Sequence, residues 1–367
     1  MAQNQSQACG ERLAGRVACG EASRSKAMDT REVDTQLEAL EKPPRQLERL
    51  VRWSEAADGA YAANTKRAWG ADWRVFAAFC RSQNACPLPA SAETVRNFVL
   101  EQGRIGKKPS TIRRYLATIR RAHRAAGTGD PCGSEEVLLA MREVAVRLGT
   151  EQKQARGLVW EEIRRFLAIE PSTLRDHRDR ALVAVAYDTL CRSEELVALD
   201  REQLTLHPGD GSATVKIVRS KTDRTREGAL VYLAPDTVSL LERWCKEAGI
   251  REGPLFRQVR GKQQLGPRLR PAAVGSVFKR LGMRIGLPPQ EYERLSGHST
   301  RVGATQDMLA HNIDIASVMQ SGRWRDSRMV VRYGRHQLAL RSGMARLARE
   351  LGRVGPQPRV REEASGT

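Results

Sequence analysis

The chain lacks the residue groupings that bind metals, staple extracellular folds or cross membranes. Its seven cysteines, Cys9, Cys19, Cys80, Cys86, Cys132, Cys191 and Cys245, are odd in number and contain no CxxC pair. Neither a disulfide framework nor a zinc site is expected, and a reducing cytoplasm fits. Histidine and cysteine nowhere cluster at metal-ligand spacing, so no metal or other cofactor is expected. No run of about 18 apolar residues occurs, which leaves no candidate membrane span. The first residues are polar and do not read as a signal peptide. There is no Walker-type phosphate loop and no internal repeat, so neither a P-loop nucleotide site nor a repeat array is expected.

Positive charge is abundant. The 367 residues suffice for two ordinary domains, each with its own core. The net charge is +19 and the pI about 10.2. That favours a polyanionic partner, because each phosphate neutralised by Lys or Arg releases counterions. Residues 1–60 hold 9 basic and 10 acidic side chains, residues 61–150 hold 15 and 7, and residues 151–367 hold 38 and 26. The basic character therefore lies in the expected folded parts rather than in an arm.

Residues 1–50, poor in large apolar groups and containing Pro43-Pro44, are expected to be mostly disordered. Residues 51–147 read as helical. Trp69, Trp73, Phe76 and Cys80 form one apolar stripe, and Ile112, Tyr115, Leu116 and Ile119 form another. Ser110 is the expected N-cap of the second stripe's helix. Its opposite face carries Arg113, Arg114, Arg120, Arg121 and Arg124 after Lys107-Lys108, a candidate DNA-contacting face. Asn97–Val99 and Glu135–Leu148 fall in further helices. Residues 148–157 (LGTEQKQARG) read as an interdomain linker. In the second domain Ala181–Tyr187 is a buried helical segment, and Val274–Ile285 and Thr300–Ala310 are helical. Ala213–Val218 and Ala229–Leu233 read as paired strands joined by the polar loop RSKTDRTREG. A last amphipathic helix is expected over Leu338–Leu351, able to pack on its own domain or on a neighbour. The fold class is mainly α with a small β-sheet, in two domains.

Several residues could carry phosphate chemistry. His298 and Arg301 lie three apart at an expected helix start, which puts them on one face. Arg192 follows the buried stretch ALVAVAYDTLC, and a charge there is either paired, for instance to Glu195, or functional. Lys221 sits in the polar loop. Taken singly, Lys221 reads as solvated, Trp324 as core or interface, and Tyr333 as a packing tyrosine.

Their joint order and spacing resemble the tyrosine recombinases, or phage-type integrases. The matching strings are AYDTLCRSEELVAL, RSKT, LSGHSTRVGATQDM, SVMQSGRW and VVRYGRH, with NTKRAW, FAAFC and STIRRYLATIRRAHRAAG in the first domain. The likeness spans roughly residues 55–350. Most of the family carries a second histidine where this chain has Trp324; Cre-type members carry tryptophan. The resemblance implies a two-domain DNA clamp, with an all-helical, SAM-like core-binding domain (residues 51–147) and an α+β catalytic domain (158–336). A C-terminal helix (337–354) would dock on a neighbouring protomer, and 355–367 would be a disordered tail.

The resemblance further implies a site-specific DNA recombinase of a bacterium, phage or plasmid, working through a 3′-phosphotyrosine and a Holliday junction without ATP or metal. Tyr333 is its implied nucleophile. An ordinary phenol is only about 0.1% ionised at neutral pH, a shortfall of about 4 kcal/mol that the site must supply. Arg192 and Arg301 are implied to clamp the non-bridging phosphate oxygens, and Trp324 to donate its indole N–H to one of them. Lys221 is the implied general acid, His298 either a base or a phosphate ligand, and Glu195 the carboxylate that orients the cluster. Expected DNA contacts are Thr65, Lys66, Arg67, Lys107, Lys108, Ser110, Thr111, Arg113, Arg114, Arg121, Arg268 and Arg270. The implied partners are double-stranded DNA with inverted-repeat sites and three further copies of the chain in a tetramer. Two readings compete: a strand-nicking relative (a hairpin telomere resolvase or a type IB topoisomerase), and a DNA-binding protein that has lost catalysis.

Overall fold

The computed structural model describes residues 45–151, 154–218, 228–261 and 263–353. The chain divides into two compact units, Met1–Gln152 and Lys153–Thr367, with the division inside the expected linker.

Five α-helices make up the described part of the first unit: α1 (Arg45–Ala56), α2 (Ala63–Ser82), α3 (Ala92–Arg104), α4 (Pro109–Ala126) and α5 (Glu135–Leu148). The two apolar stripes meet in its core, where Phe76, Phe98, Ile112, Ile119, Val95, Val137 and Val144 are buried. His123 is buried in α4. Its Nε2 accepts from the Ala90 amide at 2.9 Å while Nδ1 lies 2.8 Å from the Ile119 carbonyl, the pattern of a neutral ring. Burial holds its pKa below the ordinary value.

Two expectations are corrected here. Residues 45–50 are helical rather than part of a disordered segment. Helix α1 is held by Trp53, whose ring centroid lies 5.8 Å from that of Trp69 and 6.4 Å from that of Tyr61. The Arg121 guanidinium stacks over the same three rings, closest to Trp69 at 4.3 Å. Helix α4 is capped by Lys108 rather than Ser110, because Pro109 takes the first helical position, where its missing N–H is not needed.

The second unit begins with α6 (Trp160–Leu167) and α7 (Leu174–Thr189). Ala181 to Ala186 are all buried in α7, which packs against later helices and the sheet. Thr173 and Asp176 cap its start reciprocally. It ends at Leu190, which takes a left-handed conformation with φ 48°. Next come α8 (Ser193–Val197) and three antiparallel strands in order, β1 (Leu204–His207), β2 (Ser212–Ile217) and β3 (Ala229–Leu233). The two strands expected to pair do so, and the β2–β3 register sets Ala213 opposite Leu233 and Ile217 opposite Ala229. Helix α9 (Pro235–Glu247), the hairpin β4 (Arg257–Arg260) and β5 (Gln264–Arg268), and α10 (Pro271–Arg284) complete the main core.

The last part runs through α11 (Pro289–Tyr292), α12 (Ser299–Ala310), α13 (Ile315–Gly322), α14 (Arg328–Tyr333), α15 (Arg335–Leu340) and α16 (Gly343–Glu350). The single terminal helix expected over Leu338–Leu351 is broken at Arg341–Ser342. Ser342 caps the second piece by accepting from the Ala345 amide, and the Arg341 guanidinium donates to the Leu309 carbonyl at 2.5 Å. Among the described residues no helix is long and apolar enough to cross a membrane.

Candidate active site

Four chain segments of the second unit converge on one cationic cluster. The turn after α7 supplies Arg192, the N-cap of α8, and the first turn of α8 supplies Glu195. The start of α12 supplies His298 and Arg301, the end of α13 supplies Arg323 and Trp324, and α14 ends in Tyr333.

Glu195 is buried, and its Oε1 accepts from Arg192 Nη1 at 2.7 Å. Its Oε2 accepts from the Arg192 amide at 3.0 Å and from Arg323 Nη2 at 2.8 Å. Burial pushes its pKa up, but the Arg192 amide and the two guanidinium groups outweigh this and leave it below the usual range. It is therefore an ionised carboxylate bridging two arginines.

Arg301 is only 2% exposed. Its two terminal nitrogens donate to the Leu190 carbonyl and, at 3.0 Å, to that of Gly322. Burial, followed by repulsion from Arg192 and Arg323, pulls its pKa down to about 10, so it stays charged at neutral pH. Its guanidinium carbon lies 5.0 Å from the centre of the Trp324 ring. Trp324 in turn meets Tyr333 edge-to-face, with centroids 5.8 Å apart at 74°. Glycine at 322 leaves the space the Trp324 ring occupies; a Cβ there would enter the ring. Glycine at 303 likewise lets the chain at Leu158 lie directly on α12, where the Leu158 amide donates to the Ser299 carbonyl at 2.9 Å.

His298 stands at the N-cap of α12 with part of its surface exposed and its imidazole partly covered by neighbouring groups. Desolvation, then the charges of Arg301 and Arg192, hold its imidazole below the ordinary pKa, which favours a neutral ring able to accept a proton. Tyr333 is half-buried, and its carbonyl accepts from Gln306 at 3.2 Å and Gln154 at 3.4 Å. Val330 anchors α14 in a small satellite core with Leu309 and Val318. Burial pushes the nearby Cys191 thiol up, so it is not a competing nucleophile.

The structure thus brings together Arg192, Glu195, His298, Arg301, Trp324 and Tyr333. Lys221 lies outside the described residues, in the connection between the paired ends of β2 and β3. Arg323 was missed by sequence reasoning: nothing in SGRW distinguishes it from a surface arginine.

Several of the expected DNA contacts have internal partners. In the first unit Lys66 pairs with Asp58, Arg67 with Asn64, and Arg114 with buried Asp72 at 2.8 Å. Arg121 sits in the aromatic cluster described above and donates to the Tyr61 hydroxyl at 3.1 Å. Thr65 lies in the first turn of α2 and is half-buried. Lys107, Lys108, Ser110 and Arg113 are exposed, with Thr111 half-buried, around the start of α4. In the second unit Arg268 bonds Asp200 at 2.6 Å and the Val197 carbonyl at 2.8 Å, steadying the end of α8, and Arg270 is exposed at the start of α10.

Residues 157–339 match the model of the phage integrase family. Over 291 residues the chain is 30% identical to the Cre recombinase of Escherichia phage P1, covering 75% of this chain and 84% of the phage protein. The chain belongs to the phage integrase family. It is also 28% identical over 283 residues to an integrase/recombinase XerD homologue of Selenomonas ruminantium, covering 74% of this chain and 81% of that one. Its fold is similar to that of the Tn1549 transposon integrase in complex with circular intermediate DNA, with a TM-score of 0.59 and 14% identity over 84% of this chain and 99% of that one. The XerH site-specific recombinase bound to palindromic difH substrate gives a TM-score of 0.55 and 18% identity over 90% of both chains. These two likenesses are of fold. Membership of the phage integrase family makes this chain a site-specific recombinase, an enzyme acting on DNA.

Proposed function

We propose that this integrase-family enzyme breaks and rejoins DNA through Tyr333, in the manner of the Cre-type branch. The observation that carries the reading is the continuous set of contacts from Arg192 through Glu195 to Arg323, and from Arg301 through Trp324 to Tyr333. Arg192 and Arg301 hold the non-bridging oxygens of the scissile phosphate and stabilise the charge that grows as the phosphorane forms. The Trp324 N–H donates to one of those oxygens and takes no part in proton transfer. The Tyr333 oxygen attacks phosphorus, its proton passing to His298 or to solvent. The bond from phosphorus to the 5′ oxygen breaks, and Lys221 supplies the proton that oxygen needs. One phosphodiester is exchanged for another, so a second 5′-hydroxyl reseals the strand without ATP. No metal is required of this donor set, because fixed cationic and polar groups surround the phosphate.

In this reading the two units clamp double-stranded DNA bearing inverted repeats, and four protomers assemble on two sites around a Holliday junction. Leu340, Met344, Leu347 and Leu351 leave an apolar stripe exposed along α15 and α16, which suits docking on a neighbouring protomer. The setting is a bacterial, phage or plasmid-borne enzyme in the cytoplasm.

The test is incubation with supercoiled DNA carrying candidate sites, followed by denaturation and a gel with and without protease. Protease-sensitive protein–DNA adducts are expected, and they disappear in Tyr333→Phe. Persistence of the adducts in that variant, or their absence with every candidate site, refutes the mechanism.

A further inference from the structure

Arg323 is an arginine in a place where glycine is the ordinary choice. It closes α13 in the left-handed region, with φ 54°, where a side chain is strained. Yet its side chain is 12% exposed and turned inward. Nη1 donates to the Thr189 carbonyl at 2.8 Å. Nη2 donates to Glu195 Oε2 at 2.8 Å and reaches the Leu190 carbonyl at 3.4 Å. These carbonyls end α7, so the guanidinium also meets the negative pole of that helix. The residue is held by tertiary contacts that outweigh its backbone strain.

The charge balance of the site depends on it. Glu195 lies between Arg192 and Arg323. Without Arg323 the carboxylate would cancel Arg192 and leave Arg301 as the remaining full positive charge among these groups. With it, three guanidinium groups face one carboxylate, a net charge of two, which matches the extra negative charge of a phosphorane better than a net charge of one. We propose that Arg323 is a positioning residue of the phosphate-binding centre: by offsetting the Glu195 charge it keeps the positive charges of Arg192 and Arg301 from being cancelled there. It acts through Glu195 rather than by touching the substrate.

The experiment measures binding of inorganic phosphate to the full chain by calorimetry at low ionic strength. Arg323→Gly relieves the left-handed strain and removes one charge, and is expected to weaken phosphate about tenfold. Arg323→Lys, which keeps the charge, recovers most of the loss. The double variant Arg323→Gly/Glu195→Gln restores the net charge of two and recovers affinity to within about threefold of wild type. A purely space-filling or cap-forming Arg323 predicts no recovery in the double variant. Should the single glycine variant fail to fold, the lysine and double variants decide alone. Phosphate affinity in Arg323→Gly within twofold of wild type, or a double variant as weak as the single one, overturns the proposal. The role rests on the phosphate-centre reading above, and a second assay separates the two: covalent adducts on DNA. Absence of adducts with wild type counts against the Tyr333 mechanism, whereas the phosphate titration still reports on Arg323.

Discussion

Replacing Arg301 by methionine removes a buried charge while keeping much of the side chain's length and packing. The fall of the Arg301 pKa from the ordinary 12.5 to about 10 corresponds to roughly 3 kcal/mol of bias against its charged form. Methionine escapes that penalty. It also loses the donations to the Leu190 and Gly322 carbonyls, each worth about 1 kcal/mol net and up to about 3 if the carbonyl is left unsatisfied. The two effects nearly cancel, so the stability of Arg301→Met is expected within about 2 kcal/mol of wild type in urea. The functional change is much larger. Losing a fixed donor to developing charge costs about 10²- to 10³-fold in rate. Wild type should also gain stability from added phosphate, and Arg301→Met should not. The assay is thus paired: urea melts with and without phosphate, and adduct formation on DNA. A destabilisation above about 4 kcal/mol would show Arg301 to be a structural keystone and refute the reasoning. So would retention of phosphate-dependent stabilisation in the methionine variant.

Lys221→Ala should bind DNA normally but cleave slowly, and a substrate with a 5′-thiol leaving group should restore the rate; if the mutant stays slow on it, Lys221 is not the acid. Truncation after Arg341 spares Leu338, which packs on the satellite core, and removes the exposed Met344, Leu347 and Leu351. DNA binding should persist while paired-site complexes vanish in native gels; an undiminished yield of those complexes counts against docking through α16. The folded-state pKa of His123 lies below its unfolded value, so its contribution is fully present above about pH 6.5 and is lost as pH falls toward the folded value. Stability of the first unit should therefore decline over that window in acid, and His123→Gln should flatten the decline; an unchanged slope would exclude His123 as its source. Arg121→Ala should loosen α1 by about 1–2 kcal/mol, since it removes a cation stacked on Trp53, Tyr61 and Trp69. Faster proteolysis near residue 55 would reveal it, and an unchanged cleavage pattern would argue against the cage.

Elements with a local apolar period are legible in the sequence. Phe76 and Cys80 in α2, Ile112 to Ile119 in α4 and the alternation in β2 and β3 each announce the face they bury. Elements whose partners lie far away in sequence were not. Helix α1 has no fully buried residue, and its anchor is a cluster completed by Trp69 and Arg121. Strand β4 is polar (RQVR) and β5 contains Gly266 and Pro267, so neither shows alternation, and their pairing is irregular between Arg257 and Val259. The candidate site divides in the same way. His298 and Arg301 could be paired from their spacing at the start of α12, and their roles were implied by the resemblance. Arg323 acquires its role only because the left-handed turn after α13 aims it at carbonyls more than 130 residues earlier in the chain.

That long-range contact gives the site its physical organisation. The last carbonyls of α7, at Thr189 and Leu190, take donors from both Arg323 and Arg301. Glu195 adds a full negative charge beside them. One helix end and one carboxylate therefore hold three mutually repelling guanidinium groups together. The cost of assembling that positive field is met during folding, so it need not be met at the moment of reaction, which is the condition for electrostatic catalysis. Tyr333 is attached differently. It ends a six-residue helix tied down by Val330 and by amides of Gln154 and Gln306 on its own carbonyl. Such a mount has fewer buried contacts than α7 or α12 and belongs to the less stable end of the structure. In the proposed mechanism Arg192 and Glu195 are mounted on the main core, through Cys191, Leu196 and Val197, whereas Trp324 and the helix that ends in Tyr333 share the satellite core of Leu309, Val318 and Val330. A perturbation of Val330 should accordingly disturb Tyr333 and Trp324 more than Arg192, whereas a perturbation of Glu195 should act first on Arg192.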